Sequence, residues 1–239
     1  MTTIAKIIVT LCVTALCCSC NIAFDGIRGE GEVIRKEKTI NENFDTIKSS
    51  RGLDVVLTNK KDRKVIIEAN ENLHQHIEVY VEKETLYITS DKNIYQADEK
   101  TVYVSYDKLG KISATSGSRV TSQGPVVQKD LAISGTSGAD IELNVKAETL
   151  TTSVTSGAMM DLTGKVNNHN ASATSGADIR AKELLSLVSE AKATSGAMIR
   201  IHAKNQFTGK ATSGANINYY GAPEKVDEAE NSGGNIKRH

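Results

Sequence analysis

The chain has 239 residues with 29 basic and 29 acidic side chains, so its formal net charge at neutral pH is zero. Aromatic residues make up 4% of the sequence, and tryptophan is absent. Because nucleic-acid-binding proteins need a basic surface and stacking side chains, this composition excludes that class, and we expect no nucleic-acid partner.

Residues 1–19 have the layout of a secretory signal peptide. The apolar run over residues 7–16 is shorter than the ~20 residues that cross a bilayer. The end of the segment resembles the lipobox of bacterial lipoproteins, in which a small residue precedes a cysteine that is acylated and becomes the mature amino terminus. Cys20 follows Ser19 and is therefore the predicted lipid attachment residue, with Cys18 as the alternative.

Processing at Cys20 would leave about 220 residues, enough to bury a core, with no second cysteine for a disulfide. We expect residues 20–37 to form the anchor and a tether, and residues 38–239 to form one β-solenoid domain. The several acyl chains that the lipoprotein resemblance implies would make membrane attachment durable. Asn21 is not the aspartate associated with inner-membrane retention, so we expect an outer-membrane lipoprotein, on the periplasmic side or on the surface.

The N-terminal part of this domain, residues 38–110, is rich in β-forming residues. Strands are predicted over residues 53–57, 64–68, 77–82, 85–89 and 101–106, with polar turns between them. We expect this part to cap one end of a repeat structure, whose free strand edges would otherwise favour aggregation. The charged residues 224–230 are expected to protect the other end.

The second part, residues 111–239, contains the tripeptide Thr-Ser-Gly at a nearly fixed interval. Its complete copies begin at Thr115, Thr136, Thr155, Thr174, Thr194 and Thr212, and a degenerate copy begins at Asn231. A period of about 19 residues is typical of stacked supersecondary units.

The residues after each glycine alternate in character. The first is small, as in Ala139 and Ala158, and the third is apolar, as in Ile141 and Met160, whereas the second and fourth are mostly polar. This period of two predicts a strand with one buried face. Because a return every ~19 residues is too short for a helical crossover with its loops, the strands are expected to stack in parallel.

We therefore predict an all-β fold: a single-stranded parallel β-helix (β-solenoid) with coils of about 19 residues and a β-rich N-terminal cap. The glycine of each repeat would turn a corner with positive φ, and the Thr and Ser hydroxyls would form ladders from coil to coil. Residues 183–191 also fit a short helix, but the neighbouring units lack a matching segment, so we interpret them as strand and corner.

The fourth position after the glycine places Glu142, Asp161, Arg180 and Arg200 on consecutive coils, about 5 Å apart. Two carboxylates at that separation are the chemistry that a cation site or a glycosidase uses. We favour the alternative of a solvated column with ion pairs between coils, Asp161 lying beside Arg180. We predict no catalytic residue, no cofactor-binding residue and no metal ligand.

Histidines and repeated serines provide no stronger site. His74 and His76 have the spacing of one face of a strand, which a metal could use, but a zinc site needs three or four ligands, so we favour a turn or surface pair. His169 and His202 do not recur in the repeat, and a serine in every coil argues for structure because catalysis needs one nucleophile.

Several segments together carry a resemblance to a known family. They are Gly29-Glu30-Gly31, Phe44-Asp45-Thr46-Ile47, Gly52-Leu53-Asp54-Val55, Leu86-Tyr87-Ile88 and the serial Ser-Gly-Ala-x-Ile units, and they extend over roughly residues 29–237. In these features the chain resembles the bacterial family described as "putative auto-transporter adhesin, head GIN domain". The resemblance implies a parallel β-helix and a small lipoprotein of the Bacteroidetes type.

The favoured hypothesis is a non-enzymatic, lipid-anchored β-solenoid of the cell envelope, which serves in adhesion or binds a protein or glycan partner. One alternative is a polysaccharide-active enzyme that uses Glu142 and Asp161. The other is a structural or assembly protein whose exposed edges mediate contacts between copies. The sequence leaves the ligand and the oligomeric state open.

Overall fold

The computed structural model describes residues 26–60 and 62–239. It is 65% strand and 2% helix, and it contains a parallel β-solenoid of about seven turns with a spacing of about 19 residues, which confirms the predicted fold class. The strands of the first half are β1 (Gly26–Arg28), β2 (Val33–Thr39), β3 (Thr46–Ser49), β4 (Asp54–Asn59), β5 (Lys64–Asn70), β6 (Ile77–Glu82), β7 (Thr85–Ser90), β8 (Asn93–Gln96) and β9 (Lys100–Tyr106). A 3₁₀ helix, Glu71–Gln75, lies between β5 and β6.

The repeat part continues with strands that lengthen towards the middle of the solenoid. They are β10 (Lys111–Ala114), β11 (Arg119–Gln123), β12 (Val126–Val127), β13 (Asp130–Gly135), β14 (Asp140–Val154), β15 (Met159–Ala173), β16 (Asp178–Ala181), β17 (Leu184–Ala193), β18 (Met198–His202), β19 (Gln206–Thr212), β20 (Asn216–Tyr220), β21 (Lys225–Asn231) and β22 (Asn235–Arg238). The interpretation of residues 183–191 as strand and corner is confirmed, because residue 183 lies in a turn and β17 follows it.

The coils form two large parallel sheets and one short one. Face A contains β7, β3, β10, β13, the second halves of β14 and β15, β17, β19 and β21, in that spatial order. Face B contains β9, β4, β11, the first halves of β14 and β15, β16, β18, β20 and β22. Face C contains β12, the middle of β14 and β15, and the start of β17, in which Val126, Val145, Gly164 and Leu184 are successive partners.

The core runs through the centre of the coils, as the alternation after each glycine predicts. On face B the apolar third positions stack on one another and are fully buried: Val120, Ile141, Met160, Ile179, Ile199 and Ile217. Burial of a side chain of this size stabilises the fold by about 2 kcal/mol, so the column is a large part of the driving force.

The first half supplies coils of the solenoid as well as a cap. The five predicted strands are confirmed as β4, β5, β6, β7 and β9. Strand β3 lies between β7 and β10, and β4 lies between β9 and β11, so the coil formed by residues 46–59 is inserted between coils that come later in the chain. The end is closed by antiparallel strands: β6 pairs with β7, and β5 joins β9 to β2.

Part of the expected tether is ordered as strand. Within residues 20–37, residues 26–28 form β1, which pairs with β8, and residues 33–37 belong to β2. The reason is that β5 would otherwise leave a long free edge, and β2 pairs with it along its whole length.

The Thr-Ser-Gly corner is a tight turn in which both central residues have positive φ, as in a type I′ turn. In the third copy φ is 54° at Ser156 and 71° at Gly157, and the Ala158 amide donates to the Thr155 carbonyl at 3.2 Å. The amide of Gly157 donates to the Ser175 carbonyl of the next coil, also at 3.2 Å. The predicted positive φ of the glycine is thus confirmed.

The predicted ladder of hydroxyl groups from coil to coil at this corner is wrong. Thr155 Oγ1 and Ser156 Oγ lie 3.4 Å apart within one coil, and the serine is exposed. The positive φ of the serine turns its side chain into solvent, so the corners are joined through the main chain. A serine contact between coils occurs on face A instead, where Ser134 Oγ donates to Ser113 Oγ at 3.1 Å.

Candidate functional site

The charged column of face B has the predicted order. Glu142, Asp161, Arg180 and Arg200 are direct partners on successive strands. The strands position them because the residue before each is in the buried column, which turns these side chains outward.

The ion pairs of this column differ from the prediction. Arg180 Nε donates to Asp178 Oδ2 at 3.0 Å, and Arg200 Nη1 donates to Asp178 Oδ1 at 3.0 Å, so one carboxylate joins two guanidinium groups. The expected pair of Asp161 with Arg180 is wrong, because Asp178 stands closer to that guanidinium, two residues away on the same strand. Nearer the capped end of face B, Arg119 on β11 lies 3.0 Å from Glu142 on β14.

Asp161 therefore remains a carboxylate without a direct ion pair among the residues that the structure describes. Burial raises the pKa of Asp161; Arg180 opposes this rise, and the Glu142, Asp178 and Asp140 carboxylates add to it. Glu142 and Asp161 line a cavity of about 230 Å³ together with Thr121, Ser122, Leu143, Asn144 and Thr163. Two carboxylates in a shallow depression are the minimum that glycoside hydrolysis requires, so the enzymatic alternative has a defined location.

A second concave surface, which the sequence reasoning missed, lies on face C and the adjoining bend to face A. Its first part has a volume of about 570 Å³ and is lined by Val127, Gln128, Lys129, Lys146, Ala147, Glu148, Lys165 and Asn167. Lys165 also lines a neighbouring part of about 400 Å³, together with Leu185, Ser186, Leu187, His202, Lys204, Gly221 and Ala222. Because the two parts adjoin at Lys165, we call them together the basic groove.

The fold of face C places the lysines in the groove. Lys146 and Lys165 are direct partners on β14 and β15, and the preceding residues, Val145 and Gly164, pair with each other on the inner side. Gly164 has a φ of 113°, and a Cβ at this position would lie 2.2 Å from the Val145 carbonyl oxygen. A side chain at this position would force the two strands apart, so glycine maintains the pairing that places the two lysines side by side.

The groove concentrates positive charge that the protein does not neutralise. Lys129, Lys146, Lys165 and Lys204 outnumber Glu148, and none of the five takes part in an ion pair within residues 26–60 and 62–239. Two ammonium groups on neighbouring strands repel each other by roughly 1 kcal/mol at a separation of ~5 Å in water. On face B, by contrast, Arg119, Arg180 and Arg200 each have a carboxylate partner.

A signal for the groove exists in the sequence. Lys146 and Lys165 each follow the repeat glycine, Gly138 and Gly157, by the same number of residues. The alternation after each glycine does not reveal this pattern, because the first residues after the glycine form face B and face C begins later in the coil.

The histidines do not form a metal site. His74 lies in the 3₁₀ helix and His76 caps it, so the two do not share one face of a strand and the favoured interpretation as a turn or surface pair agrees with the structure. His76 Nδ1 lies 3.0 Å from Asp91 Oδ1, and His74 Nε2 lies 3.1 Å from the Ile34 carbonyl oxygen. The described part of the chain contains no group of three or more His, Cys, Asp or Glu side chains able to hold a metal ion.

Tyrosines of the first half form an exposed patch on the capped end. Tyr80 and Tyr87 are direct partners on β6 and β7, and their rings stack with centroids 5.1 Å apart. The Lys48 ammonium lies 5.5 Å from the Tyr87 ring centroid. Farther along this end, Arg35 forms a bidentate pair with Glu68, which lowers the pKa of that carboxyl, first through the hydrogen bond from the guanidinium.

The predicted lipid attachment residue, Cys20, and its alternative, Cys18, lie outside the described residues, as does the predicted signal peptide of residues 1–19. Across residues 26–60 and 62–239, no helix has the length and apolar character needed to span a membrane.

Parallel coils, an antiparallel cap and long outward ladders of side chains define a β-solenoid protein with extended exposed surfaces. The family model described as "Putative auto-transporter adhesin, head GIN domain" matches residues 43–223, and the chain belongs to this family. The predicted resemblance is therefore confirmed. The family's description is that of an adhesin and not of an enzyme, and it points to the cell envelope or surface.

Solved structures share the fold. A putative adhesin from Bacteroides fragilis is similar with a TM-score of 0.83 and 18% identity, over 90% of this chain and 100% of that chain. A putative adhesin from Parabacteroides distasonis has a TM-score of 0.74 and 18% identity, over 90% and 100%. A putative lipid binding protein from the same organism has a TM-score of 0.73 and 16% identity, over 89% and 99%. No curated protein matches the chain.

Proposed function

We propose that this protein is a lipid-anchored, non-enzymatic binding module of the cell envelope, which holds an adhesion partner in the basic groove. The observation that carries the proposal is the groove itself, two adjoining concave surfaces whose lysines have no ion-pair partner within the described chain. Membership of an adhesin family supports a binding role. The ion pairs of face B support it as well, because they explain most of that charged column without a ligand.

Site-specific photo-crosslinking on intact cells tests the binding role. A photoreactive residue at position 185, in the groove, should capture an envelope macromolecule, whereas the same residue at Thr151, exposed on face A, should not. The capture at position 185 should weaken when Lys146 and Lys165 are both replaced by glutamine. Equal capture at both positions, or capture that is insensitive to the two lysines, would contradict a groove-bound partner.

The lipid anchor is tested separately by metabolic labelling with a fatty-acid analogue. Cys20→Ser should abolish labelling and release the protein from the membrane fraction, whereas Cys18→Ser should keep both. Labelling that persists in Cys20→Ser but is lost in Cys18→Ser would move the anchor to the alternative residue. Protease treatment of intact cells then assigns the side of the outer membrane, and full protection would rule out a role in adhesion.

The enzymatic alternative is tested with a panel of polysaccharides. We expect no cleavage by the native protein and no difference from a variant that carries Glu142→Ala and Asp161→Ala. Cleavage by the native protein that this variant lacks would establish catalysis at the face B depression and would overturn the non-enzymatic proposal.

A further inference from the structure

The lysines of the basic groove are spread along the solenoid axis. Lys146 and Lys165 stack in one column between Val127 and Leu185, whereas Lys129 is aligned with Glu148, two residues after Lys146. Lys129 lies one coil before Glu148, and the Glu148 amide donates to the Lys129 carbonyl. Lys146, on the coil of Glu148, pairs with Lys165 on the next coil. Leu185 follows as the partner of Lys165, and the amide of Lys204 donates to the carbonyl of Ser186 one coil farther on. These groups span five consecutive coils, or about 19 Å at a spacing of ~4.8 Å.

The groove is open along this length, which limits what it can hold. Small-molecule sites enclose most of the ligand in a mainly apolar cavity. Here the two large apolar side chains beside Lys146 and Lys165 are themselves half exposed, Val127 at 46% and Leu185 at 51%. An acyl chain placed against them would stay largely in water, so a lipid gains little. An extended polymer that lies along the axis can contact every coil.

We propose that the ligand of the basic groove is an acidic glycan, a polysaccharide that carries carboxylate or phosphate groups along its length. This inference rests on the proposed binding function and gives its ligand class. Anions on successive sugar units would neutralise the ammonium groups along the groove and relieve the repulsion between Lys146 and Lys165. Gln128 and Asn167 line the same groove and offer amide groups to sugar hydroxyls, while Val127 and Leu185 offer contacts to the apolar edges of sugar rings.

The test is calorimetric titration of the protein with polygalacturonate, a carboxylate polymer, and with uncharged dextran of similar length. Polygalacturonate should bind and dextran should not, and the affinity should fall as salt is added because ion contacts release counterions. Lys146→Gln with Lys165→Gln should weaken polygalacturonate binding about tenfold or more, since two charge contacts are lost. The slope of affinity against salt should also become shallower.

A matched variant controls for net charge. Lys111→Gln with Lys210→Gln removes two exposed lysines from face A and should leave the affinity unchanged. Ligand length provides a second control. Lys129→Gln with Lys204→Gln, on the first and last of the five coils, should weaken binding of the polymer but not of a galacturonate disaccharide. An equal loss for both ligands would contradict a polymer that runs along the groove.

Other outcomes overturn the inference. Equal weakening by the face A variant would mean that binding follows net charge rather than the groove. Lysine-dependent binding to phosphatidylglycerol vesicles, without binding to polygalacturonate, would replace the glycan by a lipid surface. If no acidic polymer binds while crosslinking at position 185 still captures a macromolecule in a lysine-dependent manner, the glycan inference fails and the binding module stands.

Discussion

Thr152 Oγ1 and His169 Nε2 lie 3.0 Å apart on neighbouring coils, in the interior of the solenoid, where both residues are buried. The other ring nitrogen, His169 Nδ1, has no hydrogen-bond partner in the described structure. Burial lowers the pKa of His169 to about 4. The ring is therefore neutral at neutral pH, and a proton added to it would be a buried charge without a partner.

Because of the buried, neutral His169, we expect the folded protein to lose stability in mild acid. An unfolded histidine takes up a proton near pH 6.5, whereas the folded one does so only near its pKa of about 4. The unfolded state binds more protons between these values, so the contribution of His169 is complete above pH 6.5 and falls by up to about 3 kcal/mol towards pH 4. Urea unfolding at several pH values should show a flatter profile for His169→Leu. His239→Gln, at the exposed C terminus, is the control, and identical profiles for both variants would refute the assignment.

The repeat corner predicts a cost that comes from backbone conformation alone. Gly157 has a φ of 71°, and a Cβ added there would meet nothing within 4 Å. Gly157→Ala should still lower the free energy of unfolding by about 1 kcal/mol, because an L-residue is strained at this φ. Gly110→Ala, where φ is ordinary and the nearest atom is 3.6 Å from the new Cβ, should cost less. The comparison is made by urea denaturation, and a smaller effect at the corner than at Gly110 would contradict it.

The close approach on face C predicts a larger cost. In Gly164→Ala the new Cβ would lie 2.2 Å from the Val145 carbonyl oxygen, so β14 and β15 must separate locally. We expect a loss of more than ~2 kcal/mol, together with weaker ligand binding because Lys165 is displaced. Gly124→Ala is the matched control, since its φ is also positive, at 92°, but nothing lies within 4 Å of the Cβ. Urea denaturation that gives equal losses for the two variants would show that the dihedral angle, not the contact, is the cause.

The ion pairs of face B predict unequal contributions. Asp178 joins Arg180 and Arg200, and its side chain is only 19% exposed, so Asp178→Asn should cost about 1 kcal/mol. Arg119 and Glu142 are 51% and 62% exposed, and Arg119→Gln should cost less than ~0.5 kcal/mol. Thermal unfolding at low and high salt checks both values. A greater loss for Arg119→Gln would contradict the dependence on burial.

The sequence predicts the fold because its strongest pattern, the repeated corner and strand, reflects the backbone conformation of each coil. A glycine at the corner and a buried apolar residue, such as Ile141, Met160 or Ile179, recur in every coil. The parallel stacking and the order of the face B columns therefore follow from one alignment. The same alignment does not show which charged side chains of face B form ion pairs with each other. Arg180 pairs with Asp178 rather than Asp161, because a long side chain can reach neighbours both along its own strand and across to the next strand.

The features that the sequence did not predict each occur once in the chain and depend on residues that are distant in the sequence. His169 occupies an inward position next to Leu150, where an apolar residue is expected, and periodicity alone gives no reason for that exception. The basic groove brings together β12 with the coils that carry Lys165 and Lys204. The insertion of residues 46–59 between later coils leaves no local pattern at all, because it depends on which edges remain free.

That insertion constrains the order in which the molecule can assemble. Residues 46–59 acquire one neighbour only when residues 85–106 are present and the other only when residues 111–123 are present. The β6–β7 hairpin is local, but the coil of residues 46–59 must close several long loops before its contacts offset the lost chain entropy, so we expect this step to be slow. Each later coil adds to an edge that already exists. We therefore expect the N-terminal half to act as the template on which the rest of the chain grows, and its formation to limit the folding rate of the whole molecule.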